Sequence, residues 1–141
     1  MATTSVQTPL PPTLTPDAAI SALHNHPLMI RALCPSLITH SLESGDPSTS
    51  ATYNVTDKKP IGQTTYKLTL TNVEDGVNSL VNAKPPVGTL TIKGEWRVKD
   101  GMLKEDVEIE GNLVMRKMAK SNVDGTHPKQ HELLLQEALK A

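Results

Sequence analysis

The spacing of hydrophobic and polar positions changes twice along the chain. Residues 3–8 alternate around Val6, which predicts a short first strand, and Pro9, Pro11 and Pro12 then deny any ladder its N–H donors. A helix start follows: Thr15 as cap, Pro16 at the first helical position, and Asp17 at the positive end of the dipole. Ala19, Ile20, Ala22 and Leu23 give that helix an apolar face. Pro27 ends or bends it, with Asn25 or His26 in the turn, and a second short helix over 28–33 stops before Pro35.

From Leu37 the period becomes two. Residues 36–43 predict a strand, closed by the turn Ser44-Gly45-Asp46-Pro47. Ala51, Tyr53 and Val55 share one face of the next run, which residues 57–62 close. Tyr66, Leu68 and Leu70 oppose Thr65, Lys67, Thr69 and Thr71; Glu74-Asp75-Gly76 then predicts a hairpin into 77–83. After Lys84-Pro85-Pro86 comes the longest alternation, with Leu90, Ile92, Gly94, Trp96 and Val98 on one side. Asp100-Gly101 is a tight-turn pair, and the final strand aligns Leu103, Glu105, Val107 and Ile109.

Helical spacing returns over 112–120. Asp124-Gly125-Thr126-His127-Pro128 is expected to interrupt it before a segment carrying Leu134, Leu135, Ala138 and Leu139. Strands with one apolar and one polar face belong to an antiparallel sheet covered on one side. The C-terminal helix, long or broken, is the cover with enough apolar surface. The expected fold is therefore α+β: a curved antiparallel sheet of about six or seven strands gripping a C-terminal helix, with two short helices after the first strand. Gly94, lacking a side chain, is expected to widen a tapering space between the layers.

Composition narrows the function. The chain has 141 residues, the size of a single domain, with 14 Lys plus Arg against 15 Asp plus Glu and a net charge of −1. Without a basic block, and with Tyr53, Tyr66 and Trp96 as its only aromatics, it makes a poor nucleic-acid binder. A lone cysteine, Cys34, excludes an internal disulfide and suits a reducing, cytoplasmic setting; Met1 to Pro12 does not read as a signal peptide. No apolar run approaches the roughly 18 residues of a membrane span.

The residues Thr8-Pro9-Leu10-Pro11-Pro12, Leu23-His24-Asn25-His26, Met29-Ile30, Pro35, Leu103-Lys104-Glu105-Asp106-Val107 and Asn112 carry a resemblance. With them the chain resembles an uncharacterised fungal family of the START-like, birch-pollen-allergen-like (SRPBCC, helix-grip) superfamily. It is shorter through the middle strands, and Gly111 stands where that family usually has cysteine. The resemblance implies a cavity for a hydrophobic small molecule and leaves the reaction open, because the superfamily includes cyclases, hydrolases, carriers and receptors.

Candidate chemistry is sparse. His24 and His26 titrate near neutrality, but two positions apart on a helix they diverge by about 200° and cannot share a metal. His24 is the candidate for catalysis or ligand orientation; the alternative is that one histidine caps the Pro27 helix while the other packs under the sheet rim. Glu105 lies on an apolar face, where desolvation would raise its pKa and suit it to proton transfer. Alternatively it sits hydrated at a cavity mouth, or pairs with a cation such as Arg31. Tyr53, Tyr66 and Trp96 either fill a core or line a pocket with their hydroxyls and indole N–H, joined by Met29 and Met115 as adaptable wall residues. His127 and His131 have metal-clamp spacing but no third ligand, so both are expected at the polar surface, and neither a metal nor a cofactor is expected.

The expected activity is a cofactor-independent enzyme. It would hold a terpenoid or polyketide intermediate of fungal secondary metabolism ready for cyclisation, isomerisation or a pericyclic reaction, chemistry that needs little functional-group machinery. The alternative is a non-catalytic carrier or sensor of hydrophobic ligands. The sequence also admits a homodimer.

Overall fold

The computed structural model describes residues 2–34, 36–58, 62–83 and 89–140. Pro35, part of the predicted 57–62 turn, and Lys84-Pro85-Pro86 lie outside the described residues. The elements run β1 (Ala2–Pro9), α1 (Pro16–His24), α2 (His26–Leu33), β2 (Leu37–Gly45), β3 (Ser50–Lys58), β4 (Gln63–Val73), β5 (Gly76–Ala83), β6 (Leu90–Lys99), β7 (Met102–Glu110) and α3 (Leu113–Lys140). Seven antiparallel strands pair in the order β1-β7-β6-β5-β4-β3-β2, so β1 and β2 are the two edges.

Local chemistry sets the boundaries. The Thr15 side chain accepts from Ala18 N and caps α1. Asn25 serves twice: its backbone N–H closes α1 onto Ala22 O, and its side chain accepts from Leu28 N to start α2. Asp100 and Gly101 both hold positive φ, 55° and 72°, as a two-residue hairpin of the favoured twist requires.

Register follows the alternation read from the sequence. Leu68, Leu70, Val77, Trp96, Leu103, Val107 and Ile109 are buried on the concave face. On the convex face, hydroxyls pair across strands: Ser50 with Thr71, Thr52 with Thr69 and Thr56 with Thr65, at 2.8–2.9 Å.

Two expectations are corrected. First, α3 is continuous through Asp124-Gly125-Thr126-His127-Pro128. Proline removes one helical hydrogen bond and costs roughly 3 kcal/mol in a helix interior. Pro128 faces solvent, however, while Val123, Gln130, His131, Leu134, Leu135 and Ala138 on both sides of it are buried. Burial of that stripe offsets the loss. Second, Gly94 opens no space. A Cβ there would lie 2.5 Å from Ser79 Oγ and 3.0 Å from Trp96 Nε1, so the indole and the serine hydroxyl already occupy the gap.

α1 and α2 close one end of the concave face, and α3 runs over β1 and β7 before meeting them. The core there includes Leu23, Met29, Ile30, Leu68, Leu70, Trp96, Leu103 and Leu134. Tyr66 and Val81, packed against this core, are only half-buried, and so are Leu90, Ile92, Met115 and Ala119 toward the other end. The interior is sealed at one end and more open to solvent at the other.

Candidate functional site

Glu105 sits in the middle of β7, opposite Val6 on one side and Trp96 on the other. Strand alternation turns it onto the concave face, and its carboxylate is only 1 % exposed. A buried carboxylate is costly unless its oxygens are matched. Here His127 Nδ1 lies 2.6 Å from Oε2 and His131 Nε2 lies 2.9 Å from Oε1. Each imidazole donates an N–H to one carboxylate oxygen. That fixes one proton on His127 Nδ1 and one on His131 Nε2.

The surroundings complete the network. His131 Nδ1 is 2.9 Å from Thr8 Oγ1, which donates to the neutral ring and accepts from the charged one. Trp96 stacks on His127, with centroids 5.9 Å apart and planes at 26°, and lies 5.1 Å from His131 in a tilted arrangement. Its indole N–H donates to Ser79 Oγ at 3.1 Å. His131 is fully buried, whereas the His127 side chain keeps 12 % exposure, so His127 is the member open to other molecules.

Burial pushes the Glu105 carboxyl up. The hydrogen bonds from His127 and His131, together with their positive charge, outweigh that effect and hold it below its ordinary 4.5. The rise expected from desolvation alone is thus reversed. A carboxylate that binds its proton more weakly when folded contributes stability above the unfolded value, and loses it as the pH falls through the folded one. Thermal stability should therefore decline as the pH drops below about 4.5. Melting curves between pH 7 and 3 check this: Glu105→Gln should remove this group's share of the acid loss.

The other predicted site residues are dispersed. His24 Nε2 lies 2.9 Å from Val73 O and 2.8 Å from Gly76 O, so it tethers α1 to the β4–β5 turn and does not join Glu105. His26 is buried, between the Tyr53 hydroxyl and Asn72 Oδ1, each at 2.8 Å. Met29 is sealed in the core with Tyr53. Tyr66 bonds through its hydroxyl to Cys34 Sγ, and burial is the main cause raising its pKa far above the usual 10. Tyr66 and Met115 are both half-buried, Tyr66 against the core beside α2.

Arg31 pairs with nothing near Glu105. It lines a separate groove of about 580 Å³ between α1, α2 and the end of α3, with Ala22, Leu28, Ala138 and Lys140.

The surface placement expected for His127 and His131 is corrected. Both point inward. A signal for this existed: Val123, His127, His131, Leu134 and Ala138 are spaced three or four apart, one continuous stripe once the helix is not broken at Pro128. Among the described residues, no group of three or more His, Cys, Asp or Glu has metal-binding geometry.

The family model described as "Domain of unknown function (DUF7053)" matches residues 1–140. The chain belongs to the DUF7053 family. No curated protein matches it. Solved structures do share its backbone. Ara h 8.0201 aligns with a TM-score of 0.69 at 11 % identity, covering 99 % of each chain. The ZhuI aromatase/cyclase from Streptomyces sp. R1128 aligns at 0.66 and 10 % identity, covering 99 % of this chain and 94 % of that one. A STAR-related lipid transfer protein fragment from Xanthomonas axonopodis aligns at 0.56 and 12 %, covering 94 % and 85 %. At such identities the likeness establishes the fold alone, and it places this DUF7053 protein among the START-like, helix-grip folds.

Proposed function

We propose that the protein takes a hydrophobic small molecule between the concave face and α3, and that the Glu105–His127 pair moves a proton on it. The observation that carries this reading is a wholly buried carboxylate that fixes the tautomer of a partly exposed histidine. With Nδ1–H donated to Glu105, His127 Nε2 presents a lone pair as a general base, and returns the proton as a general acid. His131 and Thr8 keep the carboxylate from rotating.

Trp96, itself sealed in the core, stacks on the imidazole and holds its plane, and the half-buried Tyr66, Val81, Leu90, Ile92 and Met115 supply the apolar wall. Such a site suits cyclisation or isomerisation of a terpenoid- or polyketide-like compound, in which proton transfer and enforced conformation do most of the work. The aromatase/cyclase among the structural neighbours agrees with that choice.

A second reading, a carrier of hydrophobic ligands, is favoured by the same apolar wall and by the lipid transfer neighbour. One experiment separates the two. Small molecules retained by protein purified from its native host are identified by mass spectrometry, then incubated with fresh protein in D2O. Deuterium incorporation or conversion that disappears in Glu105→Gln and His127→Ala supports the enzyme. Retention without exchange supports the carrier, and an interior that retains nothing from the host counts against both.

A further inference from the structure

The first two turns of α3 have an outward face that nothing in the fold covers. Leu113, Val114 and Met118 are 58 %, 64 % and 63 % exposed, more than any other large hydrophobic side chain among the described residues. At about 100° per residue, Leu113, Val114, Lys117 and Met118 share one face of roughly 140°. Met115, Ala119 and Val123 occupy the opposite face; Ala119 and Val123 pack there beside Leu90, Ile92, Val107 and Ile109. The helix is thus anchored by one side and leaves an apolar ridge on the other.

Between Glu110 and Asp124 the charged side chains of this segment are all cations. Residues 111–123 carry Arg116, Lys117 and Lys120 with no Asp or Glu, in a chain whose net charge is −1. Lys120 is offset by Asp124 at 2.9 Å, whereas among the described residues neither the exposed Lys117 nor the half-buried Arg116, whose Nε is buried without a hydrogen bond, has a carboxylate partner. No acidic residue stands in the first turn of α3, where helix stability would favour one. Three exposed apolar side chains rimmed by unpaired cations are the pattern of a segment resting at a lipid–water interface.

We propose that the protein docks on anionic membrane surfaces through this face of α3. Leu113, Val114 and Met118 enter the acyl boundary while Arg116 and Lys117 meet lipid phosphates and carboxylates. Among the described residues no helix is long and apolar enough to cross a membrane, and the proposed contact, an amphipathic face at the interface, is peripheral. The inference is independent of the proton-transfer reading. It depends only on the exposed face, and it holds whether the interior catalyses or carries.

Co-sedimentation with vesicles of phosphatidylcholine alone, and with vesicles in which about a third of the lipid is phosphatidylserine, tests it. The full chain should pellet with the anionic vesicles, and binding should fall as salt rises toward 0.5 M, where the Debye length is only about 4 Å. Arg116→Gln/Lys117→Gln should weaken binding by about 30-fold, from roughly 1 kcal/mol per cation near a charged surface. Leu113→Ser/Val114→Ser/Met118→Ser should weaken it at least as much, with a melting temperature close to wild type because the side chains already face water. Equal binding to both vesicle types, no binding to either, or unchanged affinity in either variant would overturn the proposal. So would sedimentation equilibrium showing a dimer that the triple serine variant dissolves, because a second copy would then be the occupant.

Discussion

Glu105→Ala is expected to lower stability by about 3–5 kcal/mol, the usual cost of removing one partner from a buried charged pair. For a chain of this length that is a fall of roughly 10–20 °C in melting temperature. The cause is the imidazoles left behind. His131 is fully buried, and without the carboxylate its Nε2–H faces no acceptor. Glu105→Gln should cost far less. The glutamine amide can donate to His131 Nε2 if the ring moves its proton to Nδ1 and donates to Thr8 Oγ1 instead, while its carbonyl still accepts from His127 Nδ1–H, so the hydrogen-bond chain survives uncharged with the two bonds of His131 reversed. The pair of variants therefore separates packing from charge. A Glu105→Ala protein as stable as wild type would remove the buried network from the account of this fold. In Glu105→Leu/His131→Phe, which removes the fully buried donor and leaves only the partly exposed His127 Nδ1–H without its carboxylate, much of the lost stability should return.

Trp96→Ala is the second large effect, also about 3–5 kcal/mol, the range for deleting a buried aromatic. Trp96 is fully buried at the centre of the concave face, between Val77 of β5 and Glu105 of β7, so no neighbouring backbone can move in to fill the hole. The resulting cavity is walled on one side by the imidazoles it used to cover. Indole at millimolar concentration should bind there and raise the melting temperature of the variant, as an apolar cavity takes a matching guest. Trp96→Phe isolates the N–H. It keeps the stack on His127 and loses only the hydrogen bond to Ser79, so it should cost about 1 kcal/mol beyond the loss of area. A Trp96→Ala variant that melts with wild type and ignores indole would mean the centre of the sheet tolerates a void, contrary to the packing described.

The two variants bear on function in different ways. Glu105→Gln leaves the fold nearly intact and should abolish proton transfer through His127, which is why it serves as the probe in D2O. Trp96→Ala opens a cavity beside His127 and frees the plane of its ring, so it should change which molecules are retained. A guest kept equally by both variants would be held by the half-buried apolar end alone.

Much of this protein was legible in its sequence, because periodicity and turn chemistry are local properties. Alternation placed Leu68, Trp96, Leu103 and Glu105 on one face, since a strand gives successive side chains no other choice. Thr15 and Asp100-Gly101 announced a cap and a hairpin through a side-chain oxygen and backbone freedom that act within a few residues, whereas the pattern marks Asn25 only as a turn residue and it proves to cap α2.

Other features depended on groups distant in the chain. Pro128 and Gly125 argue for a break in α3, and only the burial of His131, Leu134 and Leu135 against the sheet outweighs them. The partners of Glu105 are 22 and 26 residues away, and no local rule couples a β7 carboxylate to a histidine pair on the next helix. Trp96 took the space that Gly94 leaves because a large side chain on the same strand could turn into it. Local pattern suffices for the elements, their inward faces and the presence of one costly inward carboxylate. Tertiary structure decided what matches that carboxylate, because pairing a buried charge is settled by which donors the chain brings within 3 Å, and proximity in space is what folding adds to order in sequence.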